Sequence, residues 1–207
     1  MNTLNQNIRR ILLFFFALGV SGYALQYLSF SADIPFLSQK KAEVVAQGAW
    51  RLGFYGHIIG GVSALSIGPF QFLKNFRQRN LPLHRFLGKI YVLAILPGSL
   101  CAFYAALYAN GGIVSQVGFA ALAVAWFFTA FRAYRAVRER DLEAHQRWMV
   151  RSYACTMAAV MLRIWLPLGT FGFGLPFLEV YRAVAWLCWV PNLAVAEWLI
   201  LHRKFEL

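Results

Sequence analysis

Six long apolar segments, each about the length of a membrane-crossing helix, dominate this chain of 207 residues. About 20 helical residues span the hydrocarbon core of a bilayer, and backbone polar groups in lipid must be paired within the segment itself. The pattern therefore predicts an all-α integral membrane bundle of about six helices that forms a single domain over 1–207. The predicted spans are 11–30, 52–73, 86–109, 113–131, 148–168 and 180–201.

The composition agrees with a membrane protein, since 60% of the residues are hydrophobic and only 14% are charged. A soluble domain carries about 25% charged residues. The net charge of +12 would suit nucleic acid, but the positions of the basic residues argue against that partner. Most of them lie before span one, after span six, or between spans two and three and between spans four and five, including the first turn of the span that follows. These are Arg9, Arg10, Lys74, Arg77, Arg79, Arg85, Lys89, Arg132, Arg135, Arg138, Arg140, Arg147, Arg151, Arg203 and Lys204.

This distribution puts the basic residues on one side of the membrane, where anionic lipid headgroups attract them. The positive-inside rule then predicts that both termini are cytoplasmic, in the inner membrane of a bacterium. Arg9 and Arg10 precede the first apolar run as in a signal peptide, but the run lacks a small-residue cleavage site, so we expect a retained helix. The long loop 31–48 faces the opposite side and is expected to contain a short interfacial helix around 37–46.

Ionisable and amide side chains inside these spans are costly in lipid, so each needs a reason. When they are placed on helices, they separate into two levels. The inner level comprises Gln71, His84, Arg85, His145 and Arg147. The outer level comprises His57, Arg163, Glu179 and Arg182.

One polar seam connects the two levels along span five. With 3.6 residues per turn, His145, Ser152, Thr156 and Arg163 fall on one helix face, together with Met149 and Ala159. The guanidinium at position 163 is too deep to be a solvated flank, and we expect Glu179 and His57 as its partners. The alternative is an ion pair with a purely structural role.

Span two carries small residues on the face that holds its histidine, because His57, Gly61, Ala64, Gly68 and Gln71 share a helical period. Such a stripe either allows close helix packing or forms a groove for a ligand.

The residues singled out above form an ordered set of short motifs. The set is His57-x-x-x-Gly61, Gly68-Pro69-x-Gln71, His84-Arg85-x-x-Gly88-x-x-Tyr91, His145-x-x-Trp148-Met149-x-Arg151 and Leu162-Arg163. Over 56–167 the chain thereby resembles the domain of unknown function 2306 family of predicted bacterial membrane proteins. The resemblance implies the same spans and emphasises the same residues, but it implies no reaction.

A histidine-arginine pair at the start of a membrane helix, with histidines on neighbouring helices, is also similar to the b-type membrane cytochromes. That likeness implies a haem b whose iron is ligated by His84 and His145, with its propionates near Arg85 and Arg147. The implied cofactor site is completed by Gln71 and Tyr91. The chain departs from the two-haem pattern because it has three credible histidines instead of four.

Three functions stay open at this point. The first is electron transfer through haem or a quinone, with a respiratory membrane complex as the partner. The second is binding or transport of a small anionic or amphiphilic molecule along the seam from His145 to Arg163. The third is an assembly role without a cofactor. Whether the protein is an enzyme is open as well, because no hydrolase, phosphate-binding or metalloprotease motif is present in the sequence.

Overall fold

The computed structural model describes residues 3–29, 34, 37 and 40–202, and these residues form helices and connecting turns without a strand. The first half of the described chain contains five α-helices, of which α1 continues into a 3₁₀ turn at Leu25–Ser29. The five are α1 (Thr3–Ala24), α2 (Ala42–Ala46), α3 (Gly48–Phe72), α4 (Lys74–Arg79) and α5 (Leu81–Ala106).

The second half contains five more α-helices and one turn of π-helix at Leu168–Gly172. The α-helices are α6 (Ile113–Arg138), α7 (Leu142–Thr156), α8 (Ala158–Pro167), α9 (Phe177–Leu187) and α10 (Val190–Leu201).

Five helical segments of the described chain are long and apolar enough to cross a membrane. They are Asn7–Ser29, Leu81–Ala106, Ile113–Arg138, Leu142–Gly172 and Phe177–Leu201. The prediction of a helical protein with several membrane spans is therefore confirmed. Helix α3 has 25 residues but is not among these five, and it contains Arg51, His57, Gln71 and several glycines. A total of six spans accordingly stays a prediction.

The helices alternate in direction, so the basic connections lie at one end of the bundle. Phe14 in the middle of α1 packs on Phe70 near the end of α3 at 4.9 Å between ring centroids. Tyr27 after α1 packs on Phe54 near the start of α3 at 5.5 Å. Helices α1 and α3 are therefore antiparallel. We call the end that holds the α3–α5 and α6–α7 connections the basic end.

The last helix returns to the basic end as well. The guanidinium of Arg151 in α7 contacts both carboxylate oxygens of Glu197 in α10 at 2.6 and 2.7 Å, and Ile200 and Leu201 lie beside Ala144 and Arg147 at the start of α7. The described chain thus begins and ends at the same end of the bundle. This agrees with the predicted topology, whereas the cytoplasmic location of that end stays a prediction. Phe30, Arg203 and Lys204, which also figure in the predicted topology, lie outside the described residues.

Helices α3 and α5 pack at backbone contact. A Cβ atom built on Gly60 would lie 2.6 Å from the carbonyl oxygen of Ala94 and 3.0 Å from the Cα atom of Gly98. One built on Gly56 would lie 2.7 Å from the sulfur of Cys101. Glycine is therefore needed on this face of α3 so that the two backbones can approach.

Two helices begin earlier than predicted, which places both inner histidines inside them. Helix α5 begins at Leu81, with a proline at its N-terminal turn, where a missing N–H costs nothing. Helix α7 begins at Leu142, because the carboxylate of Asp141 accepts a hydrogen bond from the amide of Ala144 at 2.9 Å. In the long loop, the described helix covers only Ala42–Ala46, and parts of the predicted interfacial helix lie outside the described residues.

The last two predicted spans are interrupted. Pro191 lies in the first turn of α10, and because a proline has no N–H to donate to the carbonyl four residues earlier, the helix is broken between α9 and α10. Pro167 precedes the π-helical turn, where the regular hydrogen-bond pattern cannot continue. A third break, at Met157 between α7 and α8, has no explanation in the sequence.

The outer surface of the bundle is apolar. Large hydrophobic side chains project outward all along it, as Leu93 at 69% exposure and Phe171 at 89% illustrate. Several hydroxyl and amide side chains, among them Ser99, Ser152 and Thr156, are buried instead. This inverts the usual arrangement of a soluble protein and suits a bundle surrounded by lipid.

Candidate functional site

A cavity of about 260 Å³ lies inside the bundle between α1, α3, α5, α6, the α7–α8 pair and α9. Most of its wall is apolar, with leucine, alanine and phenylalanine side chains. The polar and aromatic side chains in the wall are Ser21, Tyr27, Lys40, Trp50, His57, Trp126, Thr156, Arg163 and Tyr181. A mainly apolar pocket with a few convergent polar groups is the usual form of a small-molecule site.

Arg163 enters the cavity from α8. Its Nη1 atom donates to the carbonyl oxygen of Ala159 at 2.9 Å, and its guanidinium lies 5.5 Å from the ring centroid of Tyr23. Its Nε atom is buried without a hydrogen-bond partner. The expected ion pair with Glu179 is not formed between these two described residues. Glu179 is exposed on the first turn of α9, because that helix starts at Phe177 and turns the carboxylate outward.

His57 enters the same cavity from α3, as its expected pairing with Arg163 requires. The imidazole meets the ring of Trp126 edge-to-face, with 5.9 Å between ring centroids. Its Nδ1 atom is buried without a hydrogen-bond partner. Arg163 is close enough to act electrostatically on it. These two basic side chains of the outer level therefore share one cavity.

Buried polar atoms without partners are concentrated in this wall. Besides the ring nitrogen of His57 and the Nε atom of Arg163, they include the hydroxyl of Ser21 and the indole Nε1 of Trp50. A buried donor without a partner costs about 1–3 kcal/mol, so most such groups in native proteins are satisfied. Four of them line one cavity, so a polar ligand or water there would find hydrogen-bond partners.

A buried hydroxyl network forms the wall of the cavity that faces the basic end. The Nε1 atom of Trp126 donates to the Oγ1 atom of Thr156 at 2.9 Å. The hydroxyl of Tyr91 lies 3.0 Å from the Oγ atom of Ser152 and 3.2 Å from the Oγ1 atom of Thr156. The predicted seam is thus buried along its middle, and Tyr91 belongs to this network.

The outer level divides into two parts. His57 and Arg163 line the cavity, whereas Arg182 holds a loop, since its Nε atom donates to the carbonyl oxygen of Gly111 at 2.8 Å. Gly111 has a φ of +86°, which glycine adopts more readily than other residues. The hydrogen bond from Arg182 therefore holds a turn between α5 and α6 that depends on glycine.

The structure brings the inner histidines together at the basic end. His84 and His145, in the first turns of α5 and α7, are close enough to interact electrostatically. The Nδ1 atom of His145 donates to the carbonyl oxygen of Ala133 at 2.8 Å, which leaves Nε2 available. The Nδ1 atom of His84 is buried without a partner. That these rings ligate a haem stays a prediction.

The other inner residues differ in their surroundings. Gln71 is 6% exposed, its Nε2 atom has no partner, and its Oε1 atom lies 3.4 Å from a Cβ built on Gly88. Arg85 is exposed. Arg147, expected near a haem propionate, is exposed and forms an ion pair with Glu143 one turn away on α7.

Two basic residues near these sites were missed by the sequence analysis. Arg77 of α4 acts electrostatically on both inner histidines, and only its position in a basic loop indicated it. Lys40 lines the cavity from the long loop and donates to the carbonyl of Tyr108 and, at 3.1 Å, to the Oδ1 atom of Asn110. Burial lowers the pKa of this amine to about 8, because a charged group loses solvation there.

Ligands for a bare metal ion are not clustered in the part of the chain that the structure describes. No group of three or more histidine, cysteine, aspartate or glutamate residues there is arranged to hold an ion. Cys155 and Cys188 are buried beside the cavity and have free thiols.

The fold and cavity define a multi-span helical membrane protein with a buried polar site. The chain belongs to the family described as "Predicted membrane protein (DUF2306)", whose match covers residues 54–200, more than half of the sequence. This confirms the resemblance deduced from the motifs. Neither the comparison with curated proteins nor that with solved structures gives a match.

Proposed function

We propose that this protein binds a small anionic amphiphile in the cavity, with the head of the ligand between Arg163 and His57. The observation that supports this most strongly is the set of four buried polar atoms without partners that line the same cavity. Two of them, the Nε atom of Arg163 and the indole nitrogen of Trp50, can only donate hydrogen bonds. A ligand head that accepts hydrogen bonds would satisfy them.

The charge of the cavity supports an anionic head. Arg163 keeps its positive charge in proteins, and the hydrogen bond from its Nη1 atom goes to an uncharged carbonyl group. A guanidinium inside a membrane protein commonly marks a substrate or ion pathway. A carboxylate or phosphate would supply the opposite charge and two acceptor oxygens.

The apolar part of the wall supports an amphiphile over a soluble ion. Side chains such as Leu65, Leu122 and Leu162 surround the polar groups and would contact a hydrocarbon chain. Gly61 faces the open space of the cavity, since a Cβ built there meets no atom within 4 Å. An acyl chain can therefore lie against α3 at this point.

The first experiment removes the charge. The variant Arg163→Met, which keeps most of the side-chain volume, is tested for equilibrium binding of radiolabelled dodecanoate to the purified protein. Because a hydrogen bond to a charged group contributes about 1.5–3 kcal/mol, we expect dodecanoate binding to weaken roughly 10- to 150-fold. Dodecanol, which has the same chain without the charge, should bind equally to both proteins.

The second experiment fills the cavity. Gly61→Leu places a side chain in the open space and should abolish dodecanoate binding. Gly19→Leu is the matched control, because that glycine is exposed on α1 and also has no atom within 4 Å of a built Cβ. Dodecanoate binding that survives both Arg163→Met and Gly61→Leu would contradict the proposal. Tighter binding of a quinone than of dodecanoate would contradict the anionic class and favour the redox hypothesis.

A further inference from the structure

A second group of polar side chains lies at the basic end, separated from the cavity by the hydroxyl network. We call it the basic-end cluster and define it as Gln71, Arg77, His84, Arg85 and His145. Four elements contribute to it, namely the end of α3, the short helix α4 and the first turns of α5 and α7. Polar residues that are far apart in the sequence therefore lie close together. Basic residues that are merely solvated at a surface need not be grouped in this way.

Two members of the cluster have a buried nitrogen atom without a hydrogen-bond partner. Gln71 is 6% exposed, and its Nε2 atom makes no hydrogen bond. The Nδ1 atom of His84 is buried and also makes none. The Oε1 atom of Gln71 lies 3.4 Å from the place of a Cβ on Gly88, one turn after His84, so the amide is directed at α5.

Among the residues that the structure describes, the charged groups that act on His84 are basic. The charged groups that act on it are Arg77, His145 and Arg85, in order of decreasing effect. Arg77 acts on His145 too. An anion that accepts hydrogen bonds would pair with the unpartnered nitrogen atoms of Gln71 and His84 and reduce the repulsion among the basic groups.

We propose that the basic-end cluster binds a phosphate-type anion, such as the phosphodiester of an anionic lipid or free phosphate. Gln71 and His84 donate hydrogen bonds to its oxygens, and Arg85 supplies charge from the exposed side. This site is distinct from the cavity and does not depend on the function proposed for it. Lipid phosphates lie at this depth when the basic end is at a membrane surface.

The test compares lipids retained by the purified protein, measured by native mass spectrometry after exposure to equal amounts of phosphatidylglycerol and phosphatidylcholine. We expect the wild type to retain phosphatidylglycerol preferentially. Gln71→Met and Arg85→Gln should each reduce that retention at least about fivefold, in line with the loss of one hydrogen bond or charge contact. Arg79→Gln is the matched control, because Arg79 is an exposed arginine of the same end outside the cluster, and it should change retention less than twofold.

A second arm identifies the source of the anion. If millimolar inorganic phosphate displaces phosphatidylglycerol, the site recognises the phosphate group alone. If it does not, the site recognises the lipid headgroup. Each variant is first shown to elute and unfold thermally like the wild type. Equal losses in Arg79→Gln and Arg85→Gln would overturn the proposal, since they would indicate general surface charge. A Soret band that disappears in His84→Asn would overturn it in favour of haem.

Discussion

Single polar residues inside the apolar helices indicate where the candidate site of this protein lies. His57 and Arg163 were found from the sequence because an ionisable residue inside an apolar run is unusual. The structure places both in one cavity. The predicted ion pair between Arg163 and Glu179 was wrong. The helical period cannot predict which way the side chains of α9 face, because an irregular connection precedes that helix. Glu197 and Asn192 connect α10 to α7 through Arg151 and the carbonyl of Ala154.

Lys40 shows why some cavity residues escape sequence analysis. It lies in a loop without periodicity, so nothing indicated that its side chain reaches the cavity beside Tyr108 and Asn110.

The depressed pKa of Lys40 gives a pH-dependent prediction. Burial disfavours the charged amine, so the neutral, nucleophilic form should reach half its population near pH 8. Acetylation of Lys40 by acetic anhydride should rise with a midpoint near pH 8 and level off above it, as measured by peptide mass spectrometry. Replacing Asn110 with Ala, which removes one hydrogen-bond acceptor, should shift that midpoint lower. A rate for Lys40 that continues to rise beyond pH 10 would contradict the prediction.

At the scale of helices, the described helices overlap the predicted apolar spans, but the breaks within the last two spans were not predicted. Apolar runs located the helices, while the basic and glycine-rich flanks marked their ends only approximately. Helix α5 starts at Leu81 with a proline in its first turn, and helix α7 starts at Leu142 after a capping residue. Both signals lie in polar segments, which a search for apolar runs does not include. No proline or glycine marks the break at Met157 in the sequence.

The small-residue stripe of α3 was ambiguous in the sequence, and the structure assigns its members to different roles. Gly68 is packed tightly, because a Cβ there would lie 2.0 Å from the ring of Tyr153. Gly61 faces the cavity instead. The contact with α5 uses the neighbouring face, with Gly53, Gly56 and Gly60, which the predicted period did not include.

Adjacent glycines in α3 therefore offer a controlled test of helix packing. Gly60→Ala should destabilise the protein by about 1–3 kcal/mol, because its Cβ would lie 2.6 Å from the carbonyl oxygen of Ala94 and the backbones must separate. Gly61→Ala gains the same helix propensity without a clash and should be neutral or slightly stabilising. Thermal unfolding in detergent measures both. If the two variants unfold at the same temperature, α3 and α5 are not in backbone contact.

For the whole molecule, the alternating helices bring the basic connections and both described ends of the chain to one end of the bundle. The sequence predicted this arrangement from charge alone. The sequence could not predict the cavity, because its walls come from six helical elements whose packing leaves a gap at one depth in the bundle.

Labelling of introduced cysteines tests this topology. Gln78→Cys lies exposed at the basic end, and Leu175→Cys lies exposed at the other end, before α9. In intact cells, a membrane-impermeant maleimide should modify Leu175→Cys, whereas Gln78→Cys should react only after the cells are opened. The unsubstituted protein, with its three native cysteines, provides the background. Modification of both variants in intact cells would contradict the alternating arrangement.

Helix α1 forms one side of the cavity, where Val20, Ser21 and Ala24 line the wall. Outward movement of α1 would open the polar site directly to the hydrocarbon of the bilayer. An amphiphile already dissolved in the membrane would then reach Arg163 by lateral diffusion, without first returning to water.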